Sequence, residues 1–412
     1  MGVNVGVVGT GANPDNPDRA GFAMAYKHGA AYERLEDCRL VACADVVPEH
    51  AAQFATHFEL AEVFDDGAAM VSDLDLDVVS VCVPPGAHAQ VVTTCARQGD
   101  LDAIHCEKPM GKTWEECREM ATVCEAEGVA LTVNHQRRLG PTYREAKDLL
   151  DAGRIGDLRR IEIATGNLYD AGTHLFDLCG FYTDQTPVEW VIGQVDYRDE
   201  NKWFGAHNEN QALAQWRYED GVYGLASMGV AEEAVDCYLR LVGERGRIEI
   251  GPSSGPPLRY RSNRTLGWKT VDTGENIWGD RKLSTPRAAV QLITPRLPFV
   301  PDDPFERPSH IDLAIESVVD AVRTGGRSEL HAENALQASE LVFASWQSAR
   351  KRGRVELPLR IEDNPLESMV ATGQVPVGRD PGDSTADPAD STADPADSTS
   401  DPVRASTDGG EE

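Results

Sequence analysis

Lysine is scarce in this 412-residue chain. It occurs at Lys27, Lys108, Lys112, Lys147, Lys202, Lys269, Lys282 and Lys351, and every other basic residue is arginine. Basic residues total 39 against 68 acidic ones, for a formal net charge of −29. A surface so negative repels phosphate backbones and anionic lipid, so neither a nucleic-acid nor a membrane-surface partner is expected. Abundant Asp and Glu with little Lys points to a halophile, whose salt-rich cytoplasm screens the self-repulsion. The plainer alternative is an acidic bacterial protein.

Long apolar runs are missing too. Val78–Val83, mostly apolar, falls far short of the roughly 20 residues that span a bilayer. The N-terminus opens straight into a strand-like run, with no basic stretch before an apolar one, so no signal peptide is expected. The 9 cysteines include no C-x-x-C pair, which excludes a zinc ribbon or a redox pair of that spacing. Cys43, Cys82 and Cys106 sit in apolar runs and read as small buried hydrophobes, and reduced thiols fit a cytoplasmic location. The 10 histidines form no close ligand pattern, so no metal is expected. What the chain does have is 41% apolar residues, enough for a packed core.

Residues 1–135 alternate strand-like and helix-like segments. Val3–Val8 is almost wholly apolar and ends in Gly9, as a strand buried on both faces does. Arg39–Ala44, Glu62–Phe64, Val78–Val83, Ile104–Cys106 and Ala130–Val133 have similar texture. Helical patterns at Ala20–Leu35, Glu49–Phe58, His88–Arg97 and Trp114–Glu127 lie between them. This alternation predicts a parallel, doubly wound α/β sheet. From about residue 155 the runs Arg159–Ala164, Ala212–Tyr218, Val222–Ser227, Cys237–Val242 and Arg247–Ile250 are separated by turn signals and predict a largely antiparallel sheet with one covered face. Helical periodicity returns over 309–324 and 332–352. The segment 252–308 is rich in Gly, Pro and Arg and reads as loop. Residues 359–382 read as a loosely docked linker. The period-seven repeat of Asp, Ser, Thr, Ala and Pro over 383–402 opens a disordered acidic tail, 383–412.

Chemistry-bearing residues gather at the ends of the early strands. Gly9-Thr10-Gly11 follows the first strand, where glycines let a backbone approach a pyrophosphate. Pro14 stands where the third glycine of the dinucleotide fingerprint belongs, and a polar insert, Asn13–Arg19, delays the helix; an ordinary tight turn is the other reading. Asp45, ending the second strand, can accept hydrogen bonds from both ribose hydroxyls and repel a 2′-phosphate, or serve as a helix N-cap. Glu107-Lys108-Pro109 follows the fifth strand. A partly desolvated Lys108 could hold or relay a substrate proton, whereas an exposed one is a solvated charge. Asp170 and His174, four apart at the opening of a helical segment, would share one face, with the carboxylate orienting a general base. The same pair also reads as an N-cap and a packed histidine.

Together these pieces resemble the Gfo/Idh/MocA oxidoreductases, the family of glucose–fructose oxidoreductase and inositol dehydrogenase. The matching residues are Gly9-x-Gly11, Asp45, Val83-Pro84-Pro85 with His88, Glu107-Lys108-Pro109, Asn134-x-x-Arg137, Asp170-x-Gly172-x-His174-x-x-Asp177 and the stretch Ser348-Ala349 to Val355-Glu356-Leu357-Pro358. The resemblance spans residues 3–358. It implies an N-terminal Rossmann domain over 1–135 and a substrate-binding α/β domain over 136–358, whose open sheet often makes homodimer or homotetramer contacts. It makes Lys108, Asp170 and His174 the catalytic set. It places the cofactor on Gly9, Thr10, Gly11, Asp45, Pro84, His88, Glu107, Lys108, Asn134 and Arg137. The implied reaction is reversible, NAD-dependent oxidation of a hydroxyl on a sugar, sugar acid or cyclitol, with NADP disfavoured by Asp45. The alternatives are an NAD-dependent glycoside hydrolase and a non-catalytic dinucleotide-binding regulator.

Overall fold

In a computed structural model, residues 2–16, 21–279 and 307–375 are described. The acidic repeat, the end of the 359–382 segment, residues 17–19 of the insert after Gly11 and much of 252–308 lie outside those residues.

Six parallel strands form the first sheet, in the order β3-β2-β1-β4-β5-β6: β1 Val3–Val8, β2 Cys38–Ala44, β3 Glu62–Phe64, β4 Val78–Val81, β5 Ala103–Cys106 and β6 Ala130–Val133. This is the doubly wound order, with its reversal between β1 and β4, where such sheets place ligands. Both faces are covered. Val7 packs with Cys43 and Phe54, while Val8 joins a separate core with Met70 and Val92. Helices α1 Met24–Glu33, α2 Pro48–His57, α3 Gly67–Asp73, α4 His88–Gln98 and α5 Trp114–Glu127 make the crossovers. α5 is pinned by a Thr113/Glu116 capping box and stopped at Gly128, whose φ of 74° suits glycine. Helix α1 is shorter than its sequence pattern, starting at Met24 after a left-handed Ala23. Strand β4 ends two residues early, ahead of the Pro84-Pro85 pair, which cannot donate to a ladder.

After α6 Pro141–Asp151 the second sheet begins. It runs β16-β15-β14-β13-β7-β12-β11-β8-β17. The strands are β7 Leu158–Thr165, β8 Val188–Asp196, β11 Gln211–Tyr218, β12 Tyr223–Gly229, β13 Cys237–Gly243, β14 Gly246–Pro252, β15 Leu258–Ser262, β16 Lys269–Val271 and β17 Val355–Glu356. Only β7 and β12 pair in parallel. Helix α7 Thr173–Tyr182, a hairpin of β9 Lys202–Trp203 and β10 Ala206–His207, helix α8 His310–Thr324 and helix α9 Ala332–Lys351 follow, and α8 turns back to the first sheet, packing Ile315, Val318 and Val319 with Val3, Val5 and Val78. α9 lies on β8, where the Ser348 hydroxyl accepts from Gly193 N at 2.8 Å.

Two expectations change. The segment 252–308 is not all loop, because β15 and β16 extend the sheet beyond β14. Residues 359–375 are not loosely docked. Helix α10 Pro365–Ala371, N-capped by Asn364, buries Leu366 and Met369, and Asn364 Nδ2 donates to Lys112 O at 2.9 Å. A single apolar face of two residues is too short a pattern to announce such a helix in the sequence.

Candidate active site

Past the end of β5, Glu107 is buried beside the sheet. It accepts from Asn134 Nδ2 at 2.7 Å and lies 3.0 Å from His28 Nε2. Burial works to raise its pKa, but His28, Asn134 and Lys108 outweigh that and bring it down to about 2. The carboxylate is therefore charged and anchors the turn from which Lys108 projects. Lys108 Nζ donates to Asp170 Oδ1 at 2.7 Å and to Asp170 O at 3.0 Å.

Asp170 is not on the helix, as its spacing from His174 predicts, but in the turn before it. α7 starts at Thr173. Asn208 Oδ1 accepts from Asp170 N at 3.2 Å, and Asn167 Oδ1 accepts from Ala171 N at 2.9 Å. The neighbouring buried Glu209 accepts from Leu168 N at 2.5 Å and Trp346 Nε1 at 2.9 Å. These side chains satisfy the turn's amides and keep it out of the helix. Gly172 is forced there, since a Cβ would come within 2.5 Å of two carbonyl oxygens. Among the described residues no hydrogen bond joins Asp170 to His174; the carboxylate takes Lys108 instead.

His174 is 4% exposed, and its Nδ1 has no hydrogen-bond partner. Burial, with Arg137, Lys108, His135 and His310 adding to it, pushes its pKa well below 6.5, so the ring is neutral at pH 7. Behind it, Arg138 grips Asp177 through Nε to Oδ2 at 2.9 Å and Nη2 to Oδ1 at 2.7 Å. That buried fork ties α7 to the chain after β6.

One cavity of about 1490 Å³ collects these groups. Gly9, Thr10, Gly11, Asp45, Pro84, Glu107, Lys108, Arg137, Asp170 and His174 all line it. Its volume exceeds the roughly 300–1,000 Å³ of a drug-sized pocket. His88 and Asn134 stand behind the wall. His88 bonds Pro109 O and Val83 O, both at 2.9 Å, bracing two strand-end loops, and Asn134 bonds Glu107.

Residues 3–135 match the oxidoreductase family's NAD-binding Rossmann fold, and residues 159–357 match its C-terminal alpha/beta domain. The chain belongs to the Gfo/Idh/MocA oxidoreductase family. Inositol 2-dehydrogenase from Rhizobium meliloti is 30% identical over 176 residues, 39% of this chain. The alignment spans 52% of that enzyme, about half its length. D-apiose dehydrogenase from Paraburkholderia graminis is 22% identical over 381 residues, 84% of this chain and 91% of that enzyme. Among solved structures, an NAD binding oxidoreductase from Klebsiella pneumoniae superposes with a TM-score of 0.68 at 18% identity, covering 87% of this chain and 100% of that one.

The chain's own residues fit a dinucleotide. Gly9 has φ 86°, and a Cβ there would lie 2.5 Å from Val83 Cγ1 and 2.7 Å from Val83 N. At Gly11, with φ 61°, a Cβ would meet nothing within 4 Å, which leaves bare backbone facing open space. Asp45 waits at the end of β2. Its Oδ2 accepts from Gly11 N at 2.9 Å and Thr10 Oγ1 at 3.0 Å, and its Oδ1 from Val47 N at 2.9 Å. Several residues at or behind the cavity carry no signal in the sequence: His28, Tyr238, Trp278 and the His310–Glu275 pair at 3.2 Å. Each reaches the site from a distant element with no local motif around it. The signals for the Arg138–Asp177 fork are the basic pair Arg137-Arg138 after Asn134 and Asp177 at the end of the motif that begins at Asp170.

Proposed function

We propose that the chain is an NAD-dependent oxidoreductase that reversibly oxidises a hydroxyl of a sugar, sugar acid or cyclitol. The observation that carries this is that neutral His174 lines one cavity with Lys108 and the Gly9–Gly11 turn. Gly9, Thr10, Gly11, Asp45, Pro84 and Glu107 would hold the cofactor, with His88 and Asn134 supporting them. Bound NAD supplies the hydride acceptor. The chain manages the proton. His174 takes it from the substrate hydroxyl, and the Lys108 ammonium, held in place by Asp170 Oδ1 and the Asp170 carbonyl oxygen, steadies the charge that develops on the substrate oxygen. The positive neighbours that keep His174 neutral favour that same negative charge.

We take residues 1–135 as the cofactor domain and 136–358 as the substrate domain. The open face of the second sheet exposes Ile192, Leu213 and Tyr223 on adjoining strands, which supports a homodimer or homotetramer through it. Unpaired cysteines support a reducing, cytoplasmic location. The acidic, lysine-poor surface supports a halophilic source. Screening NADH formation at high KCl over polyols, aldoses and sugar acids tests the activity. Stoichiometric NADH from at least one member supports it, and no NADH from any member, with free sugar released from glycosides, overturns it in favour of hydrolysis.

A further inference from the structure

The groups around the reacting hydroxyl leave one charge unanswered. Lys108 is neutralised by Asp170, Glu107 is bonded by His28 and Asn134, and His174 is uncharged. Arg137 is different. Its guanidinium rests against the rings of Trp278 and Tyr238, with its carbon 4.6 and 5.1 Å from their centroids. It has no ion pair or hydrogen bond to another described side chain, and Nη1 is shut away from solvent without a partner. The rings help hold a cation but offer its N–H groups no in-plane acceptor. An arginine keeps its charge under burial, and a buried cation with unmet donors is costly. Its surroundings also separate it from the pyrophosphate turn. Tyr238 comes from β13 and Trp278 from beyond β16, both in the second sheet's layer, whereas Gly9–Gly11 belongs to the first sheet. Arg137 lines the same cavity as His174 and Lys108, so it stands on the wall of the reacting centre.

We propose that Arg137 selects the substrate by its charge: it binds the carboxylate of a polyhydroxy acid whose hydroxyl is presented to His174. This rests on the dehydrogenase reading for the second half of the statement and on Arg137 alone for the first. A guanidinium meets a carboxylate with two parallel N–H···O bonds, which a neutral hydroxyl cannot match. Arg137 puts a positive charge on the wall of the cavity that holds His174, in a molecule of net charge −29. Arg137 thereby moves from the cofactor set to the substrate.

The test measures binding and turnover separately. The full chain with saturating NADH, which prevents oxidation, is titrated calorimetrically with pairs that differ only in the carboxylate: D-gluconate and D-glucitol, D-galactonate and galactitol, D-glucuronate and D-glucose. At least one acid should bind about 30-fold or more tighter than its neutral partner. Arg137→Gln should collapse that ratio towards one, and Arg137→Lys should restore part of it. If Arg137→Gln does not fold by circular dichroism, the wild-type ratio and the Arg137→Lys titration decide. Equal binding of acid and neutral partner by the wild type, or an acid preference that survives intact in folded Arg137→Gln or Arg137→Lys, overturns the assignment. Turnover is read on the same acids with NAD. An acid that binds through Arg137 but yields no NADH overturns the dehydrogenase reading and leaves the carboxylate site standing.

Discussion

Asp170 is held to Lys108 by both its side chain and its carbonyl oxygen, and that asymmetry sets what each substitution should do. Lys108→Ala removes the ammonium outright, so kcat should fall about 10²–10⁴-fold, more than the Kd for NAD rises. If His174 takes the substrate proton, His174→Gln should fall in the same range, because Gln keeps a polar side chain but no acid–base group. Asp170→Asn keeps the carbonyl anchor for Lys108 and should cost less than either. Turnover and melting temperature measured on the same samples separate catalysis from folding. Near-normal kcat in folded Lys108→Ala, on a substrate the wild type oxidises, would remove Lys108 from the mechanism. Asp45 gives a second test. Its carboxylate lines the cavity at the end of β2 and would repel a 2′-phosphate. Asp45→Ser should narrow the NAD over NADP ratio of kcat/KM, and a wild type that prefers NADP contradicts the assignment.

Helix α10 shows where element boundaries are set by tertiary contact. Leu366 is 0% exposed, and Trp114 Nε1 at the start of α5 donates to Leu359 O at 3.2 Å. Leu366→Ala should therefore cost about 2–5 kcal/mol in urea unfolding; an unchanged midpoint would mean that the segment packs without contributing. The inner parallel strands could be read beforehand because burial on both faces forces near-continuous apolar runs such as Val3–Val8. β8 was missed because Glu189 and Gln194 break its run and its inner face is covered by a helix from about 150 residues later in the chain, a packing no local pattern reports. α6 had a usable signal, since Thr142, Tyr143, Ala146 and Leu149 recur on one face behind Pro141. The site divides the same way. Lys108 and Gly9–Gly11 were visible because strand ends concentrate chemistry. The Lys108–Asp170 bond and the Glu107–His28 contact join residues 62 and 79 positions apart, so spacing paired Asp170 with the wrong neighbour, His174.

At the scale of the whole molecule two electrostatic effects of opposite sign meet. Burial lowers the pKa of His88 and His174 from 6.5, that of His105 to about 3, and that of His135 and His331 to about 4. Unfolding restores each to its ordinary value, so between pH 6.5 and about 4 the unfolded chain binds more protons. Their stabilisation is complete above pH 6.5 and is lost as pH falls, by about 1.4 kcal/mol per pH unit for each proton taken up. Glu209 and Glu340, raised by burial, work the other way, but their stabilisation is lost only as pH rises through their own range. The net charge of −29 also opposes the histidines, because acid relieves carboxylate repulsion. Salt tells the two apart, since it screens exposed charge and leaves buried rings almost untouched. At pH 7 the melting temperature should climb steeply with KCl. At high KCl it should fall once the pH drops below 6.5, and at low KCl that fall should be shallower. A melting temperature indifferent to KCl at pH 7 would remove self-repulsion from the account. A flat profile from pH 6.5 to 4 in high KCl would mean that the buried histidines are protonated in the folded protein.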